Sequence, residues 1–241
     1  MSWLISSGLL ATLALCVIQK KGYWAKPAKE EVLRGLAFCF PLLPYALFAS
    51  ILATSGRFFA KANLSSIEVS HYTAAYKLAG LLLLTSTVLN QIWAPELFSL
   101  IKQRRFDQVR AKYTLLCGAS AFFALMIALF GERLFAILLE GSFGAAEQYL
   151  LLILVAFFFQ SCHQFISNVL LYYGKTALLA KVAFFAVLVN VLTNAFFISS
   201  HGVWAAVTAN AISWAIFLLL TASISFSLMR SAQDRYSKTN G

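Results

Sequence analysis

The stretch YTAAYKLAGLLLLTSTVLNQIWAP, from Tyr72 to Pro95, decides how the chain is read. It is long and apolar enough to cross a bilayer, whose hydrocarbon core of about 30 Å takes roughly 20 helical residues. Yet it carries Lys77 well inside it. A charge at the bilayer centre costs at least about 2.5–3.5 kcal/mol, so something must offset that cost.

The rest of the chain resembles this stretch in composition. Hydrophobic residues make up 61% of the 241 positions and charged residues only 12%, with a mean hydropathy of +0.78. That leaves too little polar material to coat a water-soluble globule of this length. The apolar residues come in long unbroken runs, not in the two-residue alternation of a membrane β-barrel. The expected fold is therefore all-α, a polytopic membrane helix bundle with seven spans. These are Trp3 to Ile18, Gly35 to Ser55, Tyr72 to Ala94, Thr114 to Phe130, Tyr149 to Tyr172, Lys181 to Ser199 and Val203 to Leu228. Leu134 to Leu139 is too short to cross and is expected at the membrane surface.

Of the 19 cationic residues, 15 fall in alternate links: Lys20 to Arg34, Lys102 to Lys112, Lys175 with Lys181, and Arg230 to Lys238. The positive-inside rule makes these links cytoplasmic, so the chain is expected to start outside and end inside. The net charge of +10 is mostly topological, and nucleic acid is not an expected partner. Cys16, Cys39, Cys117 and Cys162 lie inside spans without the spacing of a metal site and read as small core residues. The first span is short and its cations follow it, unlike a signal peptide, so the chain is expected to begin partway into a larger structure.

Polar residues within spans carry the functional signal. On a helix, Thr73, Lys77, Gly80, Leu84, Thr87 and Gln91 share a narrow stripe. Gln160, His163, Gln164 and Ser167 mark the fifth span, Asn190, Thr193 and Asn194 the sixth, and Asn210 and Ser213 the seventh. Such groups either bond neighbouring helices or line a wet cavity. Lys77 lies about 9 Å from the outer end near His71 at about 1.5 Å per residue, within snorkelling reach. His163 reads first as a satisfied buried histidine. Pro41 and Pro44 should kink or break the second span, a device that transporters use but that packing also produces.

There is no phosphate loop, no clustered metal ligands and no catalytic triad spacing, and no segment outside the spans is long enough for a catalytic domain. The chain is not expected to be an enzyme or to hold a cofactor. No Asp or Glu lies well inside a span, against a cation exporter or proton relay.

The stretch from Pro44 to Gly80, PYALFASILATSGRFFAKANLSSIEVSHYTAAYKLAG, followed by Trp93, Ala94 and Pro95, resembles the middle of the polysaccharide flippases of the MOP (MATE-like) superfamily. The later stretch from Tyr172 to Trp214 is similar to their closing pattern: a Tyr-Gly-Lys turn, two asparagines, then Gly-x-x-Ala-Ala. Gly56 stands where the family has an acidic partner for Arg57, and Ser70 where it has glycine, so an Arg57 ion pair is not implied.

The resemblance implies a MATE-like half-transporter. Residues 1–30 would be the last helix of a first lobe and a linker, 31–230 a six-helix second lobe, and 231–241 a cytoplasmic tail. It implies translocation of a polyprenyl-pyrophosphate-linked oligosaccharide across the bacterial cytoplasmic membrane by alternating access. Lys77, with Arg57 and Lys61, would meet the anionic group, and Gln91, Gln164, Asn190 and Asn194 the sugar. Expected partners are the lipid-linked oligosaccharide, the bilayer, a missing N-terminal lobe or second chain, and polysaccharide assembly proteins. A drug exporter of the same superfamily, a membrane-embedded glycan polymerase or ligase, and a truncated fragment are the alternatives.

Overall fold

The computed structural model describes residues 28–138 and 144–240, together with Thr12, Cys16 and Val17. Among the described residues the chain is helical throughout, with no strand. The helices are α1 (Lys29–Cys39), α2 (Leu42–Asn63), α3 (Ser66–Lys102), α4 (Phe106–Leu138), α5 (Gly144–Tyr172), α6 (Thr176–His201) and α7 (Val203–Asn240). Six stretches are long and apolar enough to cross a membrane: Lys29–Asn63, Ser66–Lys102, Phe106–Gly131, Ala146–Tyr172, Thr176–His201 and Val203–Asp234. The chain is a polytopic helical membrane bundle. The first expected span, Trp3 to Ile18, lies outside the described residues apart from three positions.

Two compact units divide between Phe40 and Pro41. In the first, α1 carries Glu30 and Glu31 in its opening turn, where they complement the helix dipole. An exposed Arg34–Glu30 pair at 3.4 Å spans one turn. The helix ends as the two prolines require. Pro41 and Pro44 have no N–H to donate, and the helical path breaks at Phe40 and Pro41 before α2 resumes.

The second unit holds α2 to α7. A capping box starts α3: Ser65 Oγ accepts from the Glu68 N–H at 3.3 Å, and Glu68 Oε2 accepts from the Ser65 N–H at 3.0 Å. The helix therefore begins six residues before Tyr72, and it runs on through Pro95 to Lys102. Its rigid extension past Ala94 places Glu96 inside the helix, where it pairs with Lys112 of α4. Leu134 to Leu138 continue α4 beyond its spanning stretch, Phe106–Gly131.

The central rod is α5, with 61% of its spanning window buried against 17% for the window in α4. It packs on α3, α4 and α7, while α6 packs on α2 and α7. The α3–α5 seam is pinned about once per turn. Ser86 and Ser161 hydroxyls meet at 2.7 Å, Asn168 Nδ2 donates to Asn90 Oδ1 at 2.8 Å, and Trp93 Nε1 donates to the Phe165 carbonyl at 3.1 Å. In lipid, where neighbouring helices gain little from the hydrophobic effect, such bonds and close packing hold the seam.

Of the cysteines, Cys162 is buried and Cys117 half-buried, but Cys16 and Cys39 are exposed. The core reading thus fails for those two. An apolar environment outside the bundle accepts a thiol as readily as the core does.

Candidate functional site

The link end of α2 and α3 is built around Gly56. A Cβ there would stand 2.8 Å from the Tyr72 hydroxyl oxygen and 3.7 Å from Ala206 of α7, so glycine is what lets three helices close on a buried tyrosine. This is the physical reason an acidic residue cannot occupy that position in this chain. Arg57 has an aromatic partner instead, its guanidinium carbon lying 4.2 Å from the centroid of the Tyr76 ring. The ring is held by its hydroxyl, which donates to the Ala53 carbonyl at 2.8 Å, and by an edge contact with Phe157 at 4.8 Å. A cation over an aromatic face contributes about 0.5–1 kcal/mol at an exposed site.

Lys77 follows Tyr76 and is exposed. Because α3 starts at Ser66, Lys77 stands about 16 Å along the helix at about 1.5 Å per residue. Rotation about the helix, at about 100° per residue, then places its neighbours. Tyr72 and Tyr76, which meet α2, lie about 140° and 100° to one side of Lys77, and Glu96, paired with α4, about 100° to the other. Thr73, Gly80, Thr87 and Gln91 all fall on the α2 side, within about 80°. Leu81, Val88 and Ile92, at 42%, 57% and 66% exposure, fall on the α4 side within about 60°. Most polar groups on the outward face of α3 therefore lie toward α2, along a polar edge in which Leu84, 67% exposed and about 20° from Lys77, also stands. The flank toward α4 is mainly apolar, with Thr85 about 80° round from Lys77.

Pro95 adds to the polar edge. It lacks the N–H that the Gln91 carbonyl would otherwise accept from, leaving that carbonyl outside the helical ladder.

Gln164 lies on the central rod. On α5, Ser161 and Asn168 face α3, Cys162 meets Cys117 of α4, and half-buried Gln164 lies about 60° from Ser161 on the side away from Cys162. Arg57, beside Tyr76, thus stands on the α2 side of α3 with Gln91, whereas Gln164 lies on α5, which meets α3 through Ser86, about 180° round that helix from Lys77.

Asn190 and Asn194 lie elsewhere. Both are buried, at 1% and 0% exposure. Asn190 Oδ1 accepts from Ser55 Oγ of α2 at 2.5 Å and from Asn194 Nδ2 at 3.1 Å. Ser55 lies about 160° round α2 from Arg57 and about 120° from Lys61, so the asparagine seam and the cations occupy opposite faces of one helix. Asn190 Nδ2 and Asn194 Oδ1 find no hydrogen-bond partner among the described residues. His163 is buried with its ring centroid 3.8 Å from that of Phe217 and 5.7 Å from that of Trp214, and its Nε2 also lacks such a partner.

Sequence reasoning missed Tyr76 as the support for Arg57, and it missed the separation of the asparagines from the cations. A signal for the first lay in the Tyr72–Tyr76 spacing of one turn, which puts both rings on one face. The second needed the pairing of α2 with α6.

The fold is that of a polytopic membrane protein, and Arg57, Lys61, Lys77 and Gln91 are exposed on its α2 and α3 helices. No family model matches the chain, and neither a curated protein nor a solved structure matches it.

Proposed function

We propose that this chain takes part in translocating a polyprenyl-pyrophosphate-linked oligosaccharide across a bacterial cytoplasmic membrane. The observation that carries the reading is the polar edge of α3. Lys77, Thr73, Thr87 and Gln91 line up over several turns of a spanning helix, beside Arg57 and Lys61 of α2. A row of such groups, here interrupted by exposed Leu84, is costly against acyl chains and inexpensive against water.

The chemistry suits the cargo. Lys77, Arg57 and Lys61 offer charge to a pyrophosphate, which recognises cations through charge-assisted hydrogen bonds. Gln91 and Gln164 offer amide donors and acceptors to sugar hydroxyls, and the freed Gln91 carbonyl offers a further acceptor. The lipid tail remains in the bilayer against the apolar flank of Leu81, Val88 and Ile92. In this reading Asn190 and Asn194 hold α2 to α6 and do not touch the sugar. The stretches from Pro44 to Gly80 and from Tyr172 to Trp214 support it through their resemblance to polysaccharide flippases. A second lobe, from another chain or from further polypeptide, would supply the facing wall required for alternating access.

The test is a flipping assay in vesicles loaded with a fluorescent lipid-linked oligosaccharide, run with this chain alone and with a facing lobe supplied. Outward movement that depends on protein and is lost in Lys77→Ala supports the reading. Movement that is unchanged in Lys77→Ala, or absent under both conditions, contradicts it.

A further inference from the structure

The far end of the bundle holds a second cationic feature that the translocation reading does not use. A cavity of about 380 Å³ is lined by Ile101, Lys102, Arg104 and Phe106 at the α3–α4 link, by Tyr172 and Tyr173 at the end of α5, and by Ala232 of α7. Its volume lies within the range of about 300–1,000 Å³ that ligand sites occupy. Ile101 and Phe106 are buried and form an apolar floor, while Lys102 and Arg104 are exposed at its rim. Tyr172 and Tyr173 stand edge to face, with ring centroids 5.2 Å apart.

A backbone comparison within the molecule shows that Arg104 is costly to keep. After α3, the N–H of Gln103 bonds the Ser99 carbonyl at 2.9 Å, that of Arg104 bonds Ile101 at 3.0 Å, and that of Arg105 reaches back to Leu100 at 2.9 Å. After α5 the same three bonds recur: Tyr173 to Val169 at 3.1 Å, Gly174 to Leu171 at 3.1 Å and Lys175 to Leu170 at 2.8 Å. The two corners are one motif, a helix closed by a residue with positive φ. At the second corner that residue is Gly174, φ 66°, for which the conformation is unstrained. At the first it is Arg104, φ 60°, whose Cβ is crowded in that region. Arg104 therefore keeps a conformation for which glycine is the unstrained choice, and its side chain, which also has an interaction within the protein, stands at the cavity rim.

We propose that this cavity binds the phosphate-bearing headgroup of an anionic phospholipid. Two cations at the rim meet the phosphodiester, the tyrosine hydroxyls accept or donate to the glycerol portion, and the apolar floor meets the first acyl carbons. The amphipathic lining favours a lipid over a free phosphate, which has nothing to place on Ile101 and Phe106. The location suits a bilayer ligand, since the links that line it end spanning helices, and basic pockets between such helices bind anionic headgroups.

Native mass spectrometry of the purified chain in detergent, with phosphatidylglycerol and phosphatidylcholine at equal concentration, tests the proposal. The chain should retain phosphatidylglycerol in preference, and Lys102→Ala and Arg104→Gly should each lower that retention about fivefold. Arg104→Gly relieves the backbone but also removes an interaction within the protein. Lys102→Ala leaves the corner's backbone unchanged, so it is the variant that separates ligand loss from misfolding when its unfolding temperature matches the parent's. Arg110→Ala, an equal loss of exposed charge outside the cavity, should leave retention unchanged. The proposal is overturned if both cavity variants retain the lipid like the parent chain, or if Arg110→Ala loses as much. Displacement of the lipid by an equal concentration of soluble glycerol phosphate would overturn it in favour of a water-soluble ligand.

Discussion

The two faces of α2 put the same problem, polar groups within a membrane-spanning helix, to opposite solutions. On one face Ser55 donates into a buried seam, where Asn190 and Asn194 of α6 complete a short network. On the other, Arg57 lies on the Tyr76 ring, on the side of the bundle where the polar edge of α3 carries Lys77 and Gln91 outward. In the seam, polar atoms hold helices together. At the edge, they are left for something outside the bundle to meet. Residue type alone does not distinguish the two roles, since amides occur in both; the direction each side chain faces does.

Substitutions should separate these roles, and the largest effect is expected at the edge. Lys77→Ala should abolish polysaccharide export in a complementing strain at unchanged protein abundance, whereas Asn190→Ala should leave export largely intact. Equal losses from the two would erase the distinction.

Packing between the faces comes next. Gly56→Ala brings a Cβ to 2.8 Å from the Tyr72 hydroxyl oxygen and should destabilise the bundle by about 1–3 kcal/mol in thermal unfolding in detergent. Tyr72→Phe in the same chain should recover most of that loss, because the crowded atom is the hydroxyl oxygen. Failure of this rescue would mean that Ala206 or the backbone sets the limit. Gly202, with φ 58° and ψ −139° at the α6–α7 corner, should cost about 1–3 kcal/mol on replacement by alanine through backbone strain.

The seam itself is expected to give the smallest change. Removing the Ser55–Asn190 bond by Ser55→Ala should cost about 0.6 kcal/mol and no more than about 1.7, the range for hydrogen bonds between membrane helices. A double-mutant cycle with Asn190→Ala would measure the coupling. A cost well above that range would show the network to be a structural keystone, and the comparison between faces would need redrawing.

Much of the fold was legible because apolar run length reports directly on spanning helices. The break at Pro41 followed from two missing N–H groups, whereas the turn at Gly174 was legible only through the Tyr-Gly-Lys pattern of the flippase resemblance. Helix ends were less legible. Hydropathy stops where charge begins, but helical hydrogen bonding does not, so α3 runs from its Ser65 cap to Lys102 across residues that read as link. In the candidate site, the stripe around Lys77 was readable from angular spacing on one helix. Whether that stripe faced inward or outward was not, because that depends on which helices flank α3. Asn190 and Asn194 had the same signature as Gln91, and only the packing of α2 on α6 showed that they are buried.

The central claim is that the polar edge of α3 faces water while the adjacent flank faces lipid. Labelling with a membrane-impermeant thiol reagent tests it most directly, in intact cells and in opened vesicles, on single cysteines placed in a background free of Cys16, Cys39, Cys117 and Cys162. The account predicts labelling at Lys77→Cys, Thr87→Cys and Gln91→Cys and silence at Leu81→Cys, Val88→Cys and Ile92→Cys. Silence along both rows, or labelling without regard to side, would contradict it.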